Sequence, residues 1–297
     1  IVADAAETLA AKHGATAASS DEIIADPKID AVLVATSTDT HSDLIEAATA
    51  AGKAVLCEKP VDLSLDRARA CLAKVEPTGQ PVMIGFNRRF DASFAEVRRA
   101  AHAGEIGKTE LLSITSFDPA PPPVSYIATS GGLFRDMMIH DFDMAHFLMG
   151  ALPVEVHAVG ASLVDPEIGA AGDIDTAVVT MRYADGRIAV IQNSRRAVYG
   201  YDQRVELLGS EGQLSVKNVT ETQVVRSTAD GITGAKPVLF FLERYMPAYV
   251  AEWDAFVQMV KTGDAPPVSL ADGVAAAACA DAAATSLERG SPINVAF

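Results

Sequence analysis

Residues 136–143, Asp-Met-Met-Ile-His-Asp-Phe-Asp, place an aspartate and a histidine four positions apart, Asp136 and His140. On a helix that spacing stacks the two on one face. A carboxylate so placed fixes the imidazole tautomer, and the imidazole accepts a proton from a hydroxyl near neutral pH. Lys59, in Cys-Glu-Lys-Pro at 57–60, is the third candidate. A lysine just before a proline marks a strand end, where α/β enzymes carry ligand-facing residues. An aspartate, a histidine and a lysine together suit removal of a proton from an alcohol as hydride leaves its carbon. The plain reading of the same residues is a helix-start carboxylate, a satisfied histidine and a surface lysine.

The elements that must position these residues follow from the apolar pattern. Ala31-Val-Leu-Val-Ala-Thr36 is a continuous apolar run, as a strand buried on both faces requires. Residues 40–51 read as helix, 53–57 as strand, 64–76 as helix and 81–86 as strand. The opening Ile-Val-Ala-Asp reads as the end of a buried strand, with helix from Glu7 to His13. Alternating strands and helices mean right-handed crossovers and a parallel sheet, half of a doubly wound nucleotide-binding domain. After residue 87 the rhythm changes to a helix at 90–103, a strand at 109–117, a proline-rich loop and one helix over 136–149. From Val154 to Val225 successive strands with tight turns predict a large antiparallel sheet. Helices over 243–261 and 270–288 and a strand at 293–297 close the chain. The expected organisation is α/β: an N-terminally incomplete Rossmann dinucleotide-binding domain over 1–87, then an α+β substrate-binding and oligomerisation domain over 88–297.

A length of 297 residues allows one large or two medium domains with a sizeable core. The net charge of −15 argues against nucleic acid and anionic membranes, because neutralising phosphates needs a basic face. Cys57, Cys71 and Cys279 are widely spaced and odd in number, which indicates neither a disulfide framework nor a zinc ribbon and makes a reducing cytoplasm the default. The Ala-rich run 271–287 carries Asp272 and Asp281 and reads as a packed helix rather than a membrane span.

Four stretches occur in a fixed order: Ala-Thr-Ser-Thr-Asp-Thr-His at 35–41, Glu-Lys-Pro at 58–60, Gly-Phe-Asn-Arg-Arg-Phe-Asp at 85–91, and Gly-Gly-Leu-Phe-Arg-Asp-Met-Met-Ile-His-Asp-Phe-Asp at 131–143. In that order they resemble the glucose–fructose oxidoreductase/inositol dehydrogenase/MocA family. Asn-Ser-Arg-Arg-Ala-Val-Tyr-Gly-Tyr-Asp-Gln-Arg at 193–204 and Phe-Leu-Glu-Arg-Tyr at 241–245 are similar to its inositol dehydrogenase branch. The resemblance covers essentially the whole chain. It implies a dinucleotide fold, NAD or NADP, oxidation of a sugar or cyclitol hydroxyl, and a homotetramer. One departure is the Gly-rich turn that seats a pyrophosphate on a helix N-terminus, which does not occur in this sequence. With Asp4 read as the acid closing the second strand, roughly 30 residues would precede it. The expectation is a shortened form of a longer chain; the other reading is a chain without productive cofactor binding.

Asp4 has two readings. It bonds the ribose hydroxyls, which favours NAD because a carboxylate repels the 2′-phosphate of NADP, or it caps a helix with Glu7 three residues on. Thr36, Ser37 and Thr38 sit where dinucleotides lie, or serve as turn and cap groups. By resemblance this loop lines the cofactor and His41 starts the next helix, more a structural than a catalytic histidine. Glu58 resembles the residue near the nicotinamide ribose, with plain solvation as the alternative. Toward a polyol or sugar, Arg88 resembles a sugar-contacting position, against a surface arginine beside Arg89. Asp118 in its proline-stiffened loop is a hydrogen-bond acceptor or a turn former. Tyr201 contacts substrate or packs on the sheet.

The reading these residues support is NAD-dependent oxidation of a ring hydroxyl of myo-inositol or a close cyclitol or sugar. In it His140 is the base, Asp136 orients the imidazole, and Lys59 hydrogen-bonds the reacting oxygen. Two other classes stay open. One is a metal enzyme using Asp136, His140 and Asp143 on one helical stripe, which the cationic Lys59 opposes, so that no metal ligand is assigned. The other is a non-catalytic dinucleotide-binding sensor on the same fold. The expected sheet has helices 90–103, 136–149 and 243–261 on one face. Its other face keeps apolar residues in Ile188-Ala-Val-Ile-Gln and Val205-Glu-Leu-Leu-Gly, which predicts self-association.

Overall fold

The computed structural model describes residues 3–297. Helix α1 spans Ala3–His13 and α2 Ser20–Ala25. They lead into an alternating unit: β1 Ala31–Val34, α3 His41–Ala50, β2 Ala54–Cys57, α4 Leu65–Val75 and β3 Val82–Ile84. The three strands form a parallel sheet in the order β1-β2-β3, with Val32 opposite Val55 and Leu56 opposite Met83. Every residue of β2 and β3 is buried, which is why those runs are apolar throughout instead of alternating. The expected strand at the chain start rests partly on residues 1 and 2, outside those described; Ala3 and Asp4 are helical. Asp4 therefore lies in the first turn of α1 rather than capping it, and its side chain is exposed.

Helix α5 (Ala92–His102) starts on Asp91, whose side chain accepts from the Ser93 and Phe94 amides, and leads to β4, Thr109–Phe117. Then come α6 (Val124–Ser130), α7 (Gly132–Asp136) and α8 (Ile139–Met149). The single helix expected over 136–149 is thus broken at Met137 and Met138. Next are β5 Glu155–Ala161, α9 Pro166–Ala170, β6 Thr176–Arg182, β7 Ile188–Ser194, β8 Asp202–Gly209 and β9 Gly212–Val216. A small exposed hairpin, β10 Val225–Thr228 and β11 Gly231–Gly234, precedes α10 (Phe241–Thr262), α11 (Leu270–Arg289) and β12 (Ile293–Asn294).

The second sheet has seven strands in the order β12-β5-β6-β7-β4-β8-β9. It is mixed rather than purely antiparallel, because β4 inserts between β7 and β8 and runs parallel to β7. A parallel neighbour needs a long return path, and residues between β4 and β5 that build α6, α7 and α8 supply part of it. Ala177, Val179, Met181, Ala189, Ile191, Val205 and Leu207 point inward and are buried. Helices α5, α8 and α11 cover that face, while α10 lies against the turn at residues 87–90. The last helix, not α10, therefore completes the cover. Its alanines allow close approach: a Cβ on Gly273 would lie 2.6 Å from Val61 Cγ2. Helix α11 also touches β3 and α4, so it packs on both sheets. Leu111, Val178, Ile188 and Leu208 remain exposed on the other face of the large sheet.

Candidate active site

The C-terminal ends of β1, β2 and β3 share one edge of the small sheet, and the loops leaving them carry Thr36–Thr38, Glu58–Lys59 and Asn87. Dinucleotides bind along such an edge. A cleft of about 850 Å³ opens there, lined by Glu58, Lys59, Asn87, Arg88, Asp118, Asp136, His140, Arg195 and Tyr201 among others. The substrate-side residues singled out in the sequence therefore converge on one cavity.

Lys59 reaches across from β2 to α7. Its Nζ donates to the main-chain carbonyl of Asp136 at 2.7 Å and lies 3.4 Å from the Asp136 carboxylate. The other partners of that carboxylate are Tyr126, whose hydroxyl donates to Oδ1 at 3.1 Å, and Arg195, which donates to Oδ2 at 3.3 Å. The imidazole of His140 is not among them: its Nδ1 is buried without a partner. The expectation that Asp136 orients His140 gives way to a different geometry. With α7 ending at Asp136, the carboxylate turns toward Lys59 and Arg195. The His140 ring instead meets Phe86 edge-on, 6.0 Å between centroids. Burial, reinforced by the charges of Lys59 and Arg88, holds the imidazole well below its usual value, so it is neutral at pH 7.

Arg88 is buried. Its Nη1 donates to Asp141 at 2.6 Å and to Ser116 at 3.3 Å, and Nη2 lies 3.5 Å from the Tyr201 hydroxyl. Asn193 holds the other oxygen of Asp141 at 2.9 Å. Asp118 lines the cleft, and burial pushes its carboxyl up to about 6 against the pull of Arg195 and Arg88. Burial also raises Glu58. Tyr201 is buried and its phenol is driven well above the usual range by desolvation.

His41 does not reach the cleft. Its Nδ1 lies 2.8 Å from the Pro60 carbonyl and Nε2 3.1 Å from that of Thr36, so it ties the β1 loop to the β2 loop. The Thr36 hydroxyl pairs with Thr40 at 2.6 Å, while Ser37 is exposed at the edge. The three-residue cation set is not assembled. Asp143 is taken up by Arg89, with Nη2 2.6 Å from Oδ1 and Nε 2.9 Å from Oδ2, and the helix break removes Asp136 from the stripe. Reading the sequence missed Arg195, Tyr126 and the supporting Asp141. Arg195 lay inside a quoted motif, but nothing local distinguishes it from its neighbour Arg196, which is exposed.

Gly85 lies where β3 leaves the sheet beside Glu58. A Cβ there would lie 3.1 Å from Glu58 Oε2 and 3.3 Å from Glu58 Cα, so the β3 exit is kept bare where it passes the β2 exit. Edge loops at the strand ends, with a neutral histidine and a lysine lining the cleft beside them, suit the nicotinamide end of a dinucleotide.

Fold and site together define a nucleotide-dependent oxidoreductase. Residues 2–86 match the oxidoreductase family with an NAD-binding Rossmann fold, and residues 94–215 match the GFO/IDH/MocA C-terminal domain. The chain belongs to the Gfo/Idh/MocA family. It is 48% identical over 292 residues to the inositol 2-dehydrogenase of Rhizobium meliloti, covering 98% of this chain and 88% of that protein. The crystal structure of a myo-inositol dehydrogenase from Corynebacterium glutamicum matches with a TM-score of 0.94 at 43% identity, over 99% of this chain and 89% of the other. The scyllo-inositol dehydrogenase of Lactobacillus casei, solved with NAD(H) and scyllo-inositol, matches at 0.86 and 30% identity, over 94% and 84%.

Proposed function

We propose that this protein oxidises a ring hydroxyl of myo-inositol or a related cyclitol to the ketone, with NAD as cofactor. The observation that carries the reading is a neutral imidazole, its Nδ1 buried without a partner, next to a lysine in a cleft at the ends of parallel strands. Residues 1–87 hold the cofactor in this reading and 88–297 the substrate. Thr36, Ser37, Thr38 and Glu58 line the cofactor side, and Asp4 is assigned to the adenosine ribose. When bound, NAD supplies the acceptor for the hydride. His140 takes the hydroxyl proton, which a base already neutral at pH 7 does without first losing its own. The Lys59 ammonium hydrogen-bonds the same oxygen and stabilises the negative charge that grows there. Asp136 holds Lys59 through its carbonyl and carboxylate, instead of orienting the imidazole. Arg88, Asp118 and Tyr201 bind the remaining hydroxyls. Protein incubated with NAD and a panel of cyclitols and sugars, followed at the absorbance of reduced nicotinamide, tests this. Binding of NAD without turnover on any polyol would turn the reading to a sensor.

Self-association through the open face of the large sheet belongs to the same proposal, with a tetramer as the form suggested by the family. Leu111, Val178, Ile188 and Leu208 give that face the exposed apolar character of an interface. A cytoplasmic setting is supported by Cys57, Cys71 and Cys279, all free and buried. Among the described residues one helix, α11, is long and apolar enough to cross a membrane, but 67% of its apolar window is packed inside the fold.

A further inference from the structure

Arg195 directly follows β7, and Asp118 directly follows β4. The two strands are parallel neighbours with Phe117 opposite Ser194, so Asp118 and Arg195 leave the sheet side by side. Two main-chain bonds fix this exit: the Asp118 amide donates to Ser194 and the Arg195 amide to Asp175, both at 2.9 Å. The Arg195 side chain is 2% exposed yet lines the cleft, and its Nη2 reaches the Asp136 carboxylate at 3.3 Å. Its Nε is buried without a partner. The guanidinium thus bonds one carboxylate, Asp136 from α7, and its strand exit adjoins that of a second, Asp118 after β4.

We propose that Arg195 is a positioning residue for the polyol, a shared counter-charge that holds the Asp118 and Asp136 carboxyl groups in one cleft so that each accepts a hydrogen bond from a different substrate hydroxyl. This rests on the cyclitol reading above. Two carboxylates in a partly desolvated site repel each other, and without a cation between them one protonates. A protonated carboxyl loses acceptor capacity toward a hydroxyl. The groups facing Asp118 are Arg195 from the β7 end, Arg88 from the turn after β3, Asp136 and Asp141 from α7 and α8, and Tyr201 from the β8 approach. Those facing Asp136 are Lys59, Tyr126 and Arg195. Among them Arg195 exerts the largest downward pull on Asp118, which already stands at about 6. Removing it therefore drives Asp118 further up, through neutrality.

The test uses the full chain with Arg195→Met and Arg195→Lys. Carboxyl carbon resonances are titrated by NMR, with Asp118→Asn to assign the Asp118 signal, and KM is measured separately for polyol and NAD. In Arg195→Met the Asp118 titration is expected to rise by about one pH unit or more. The polyol KM is expected to rise roughly tenfold or more while the KM for NAD stays within about twofold. Arg195→Lys keeps the charge but not the planar fork. It should leave the titration near wild type and still raise the polyol KM by a few fold. An unshifted Asp118 titration in folded Arg195→Met overturns the proposal. So does a wild-type polyol KM in Arg195→Lys, the arm that decides if the methionine variant does not fold. A wild-type chain that reduces no NAD with any polyol would overturn the functional reading instead, and the titration would still decide the role of Arg195.

Discussion

The ammonium of Lys59 donates to the main-chain carbonyl of Asp136 at 2.7 Å, a bond across 77 positions of sequence. In an uninterrupted helix that carbonyl would accept from the amide of residue 140. Instead the His140 amide lies 3.4 Å from the Met137 carbonyl, and α7 and α8 part at the intervening turn. The lysine thus takes a carbonyl the helix has given up, and the break turns the Asp136 carboxylate to Lys59 and Arg195 while His140 falls in the first turn of α8.

Replacing His140 by Ala is expected to lower kcat by roughly 10²- to 10⁴-fold, the usual worth of a positioned proton acceptor. Steady-state rates with myo-inositol and NAD check it. Wild-type turnover in the variant would remove His140 from the reaction.

The acid limb of kcat/KM is expected near pH 6, and it belongs to Asp118 rather than to His140. Asp118 stands at about 6, whereas the imidazole titrates well below its usual range. Activity should rise as Asp118 ionises and level off above neutrality. Asp118→Asn should shift the limb to lower pH and raise KM for the polyol. Stability carries the opposite sign. Because the folded carboxyl binds its proton more tightly than the unfolded one, its contribution falls as pH rises through roughly 4 to 6. The melting temperature of Asp118→Asn relative to wild type should therefore increase from pH 4 to pH 8.

Lys59→Met removes both the donor to the reacting oxygen and the partner of the Asp136 carbonyl. The expected loss in kcat is roughly 10²- to 10³-fold, as for one oxyanion-type donor. A loss confined to KM, with kcat intact, would argue that Lys59 only binds substrate.

Gly85→Ala places a methyl 3.1 Å from Glu58 Oε2. Crowding there should cost about 1 kcal/mol or more. It should raise KM for NAD several-fold with little change in KM for the polyol.

Asp143→Ala strips Arg89 of its two-point partner inside the protein. Asp272 stays 3.1 Å from the Arg89 guanidinium, so the charge keeps one partner and the loss is expected to destabilise the fold by about 1–3 kcal/mol. Thermal melting reads this, and the acid limb near pH 6 should not move.

Val178→Arg with Leu208→Glu puts charge on the exposed face of the large sheet. Sedimentation at micromolar concentration should show smaller species than wild type if that face joins subunits. A wild-type monomer would remove the self-association proposal.

The alternating part of the fold was legible because it is local: uniformly buried strands give continuous apolar runs such as Ala54–Cys57. The convergence of Lys59, Asp136 and His140 was legible from residue types and strand ends. The α7–α8 break was not. Met137 and Met138 carry no helix-breaking signal, and the carbonyl that marks the break is bonded by a lysine far away in sequence. Arg195 was missed for a similar reason, since its neighbour Asp118 is set by the pairing of β4 with β7, a register no local pattern encodes. The covering helix was misassigned because α10 and α11 both carry apolar faces; what separates them is that the small residues of α11 permit contact on two sides.

That last helix acts as a spine. It is pressed against β3 and α4 on one side and against β5 and α8 on the other. Swinging the two sheets apart would pull contacts from both of its flanks at once, so the helix opposes that motion. The cleft walls that lie outside this arrangement include the proline-stiffened segment beginning at Pro119 and the exposed Leu239–Phe241 at the start of α10. Any movement of one sheet relative to the other is thereby coupled to the contacts that this single helix makes on both flanks.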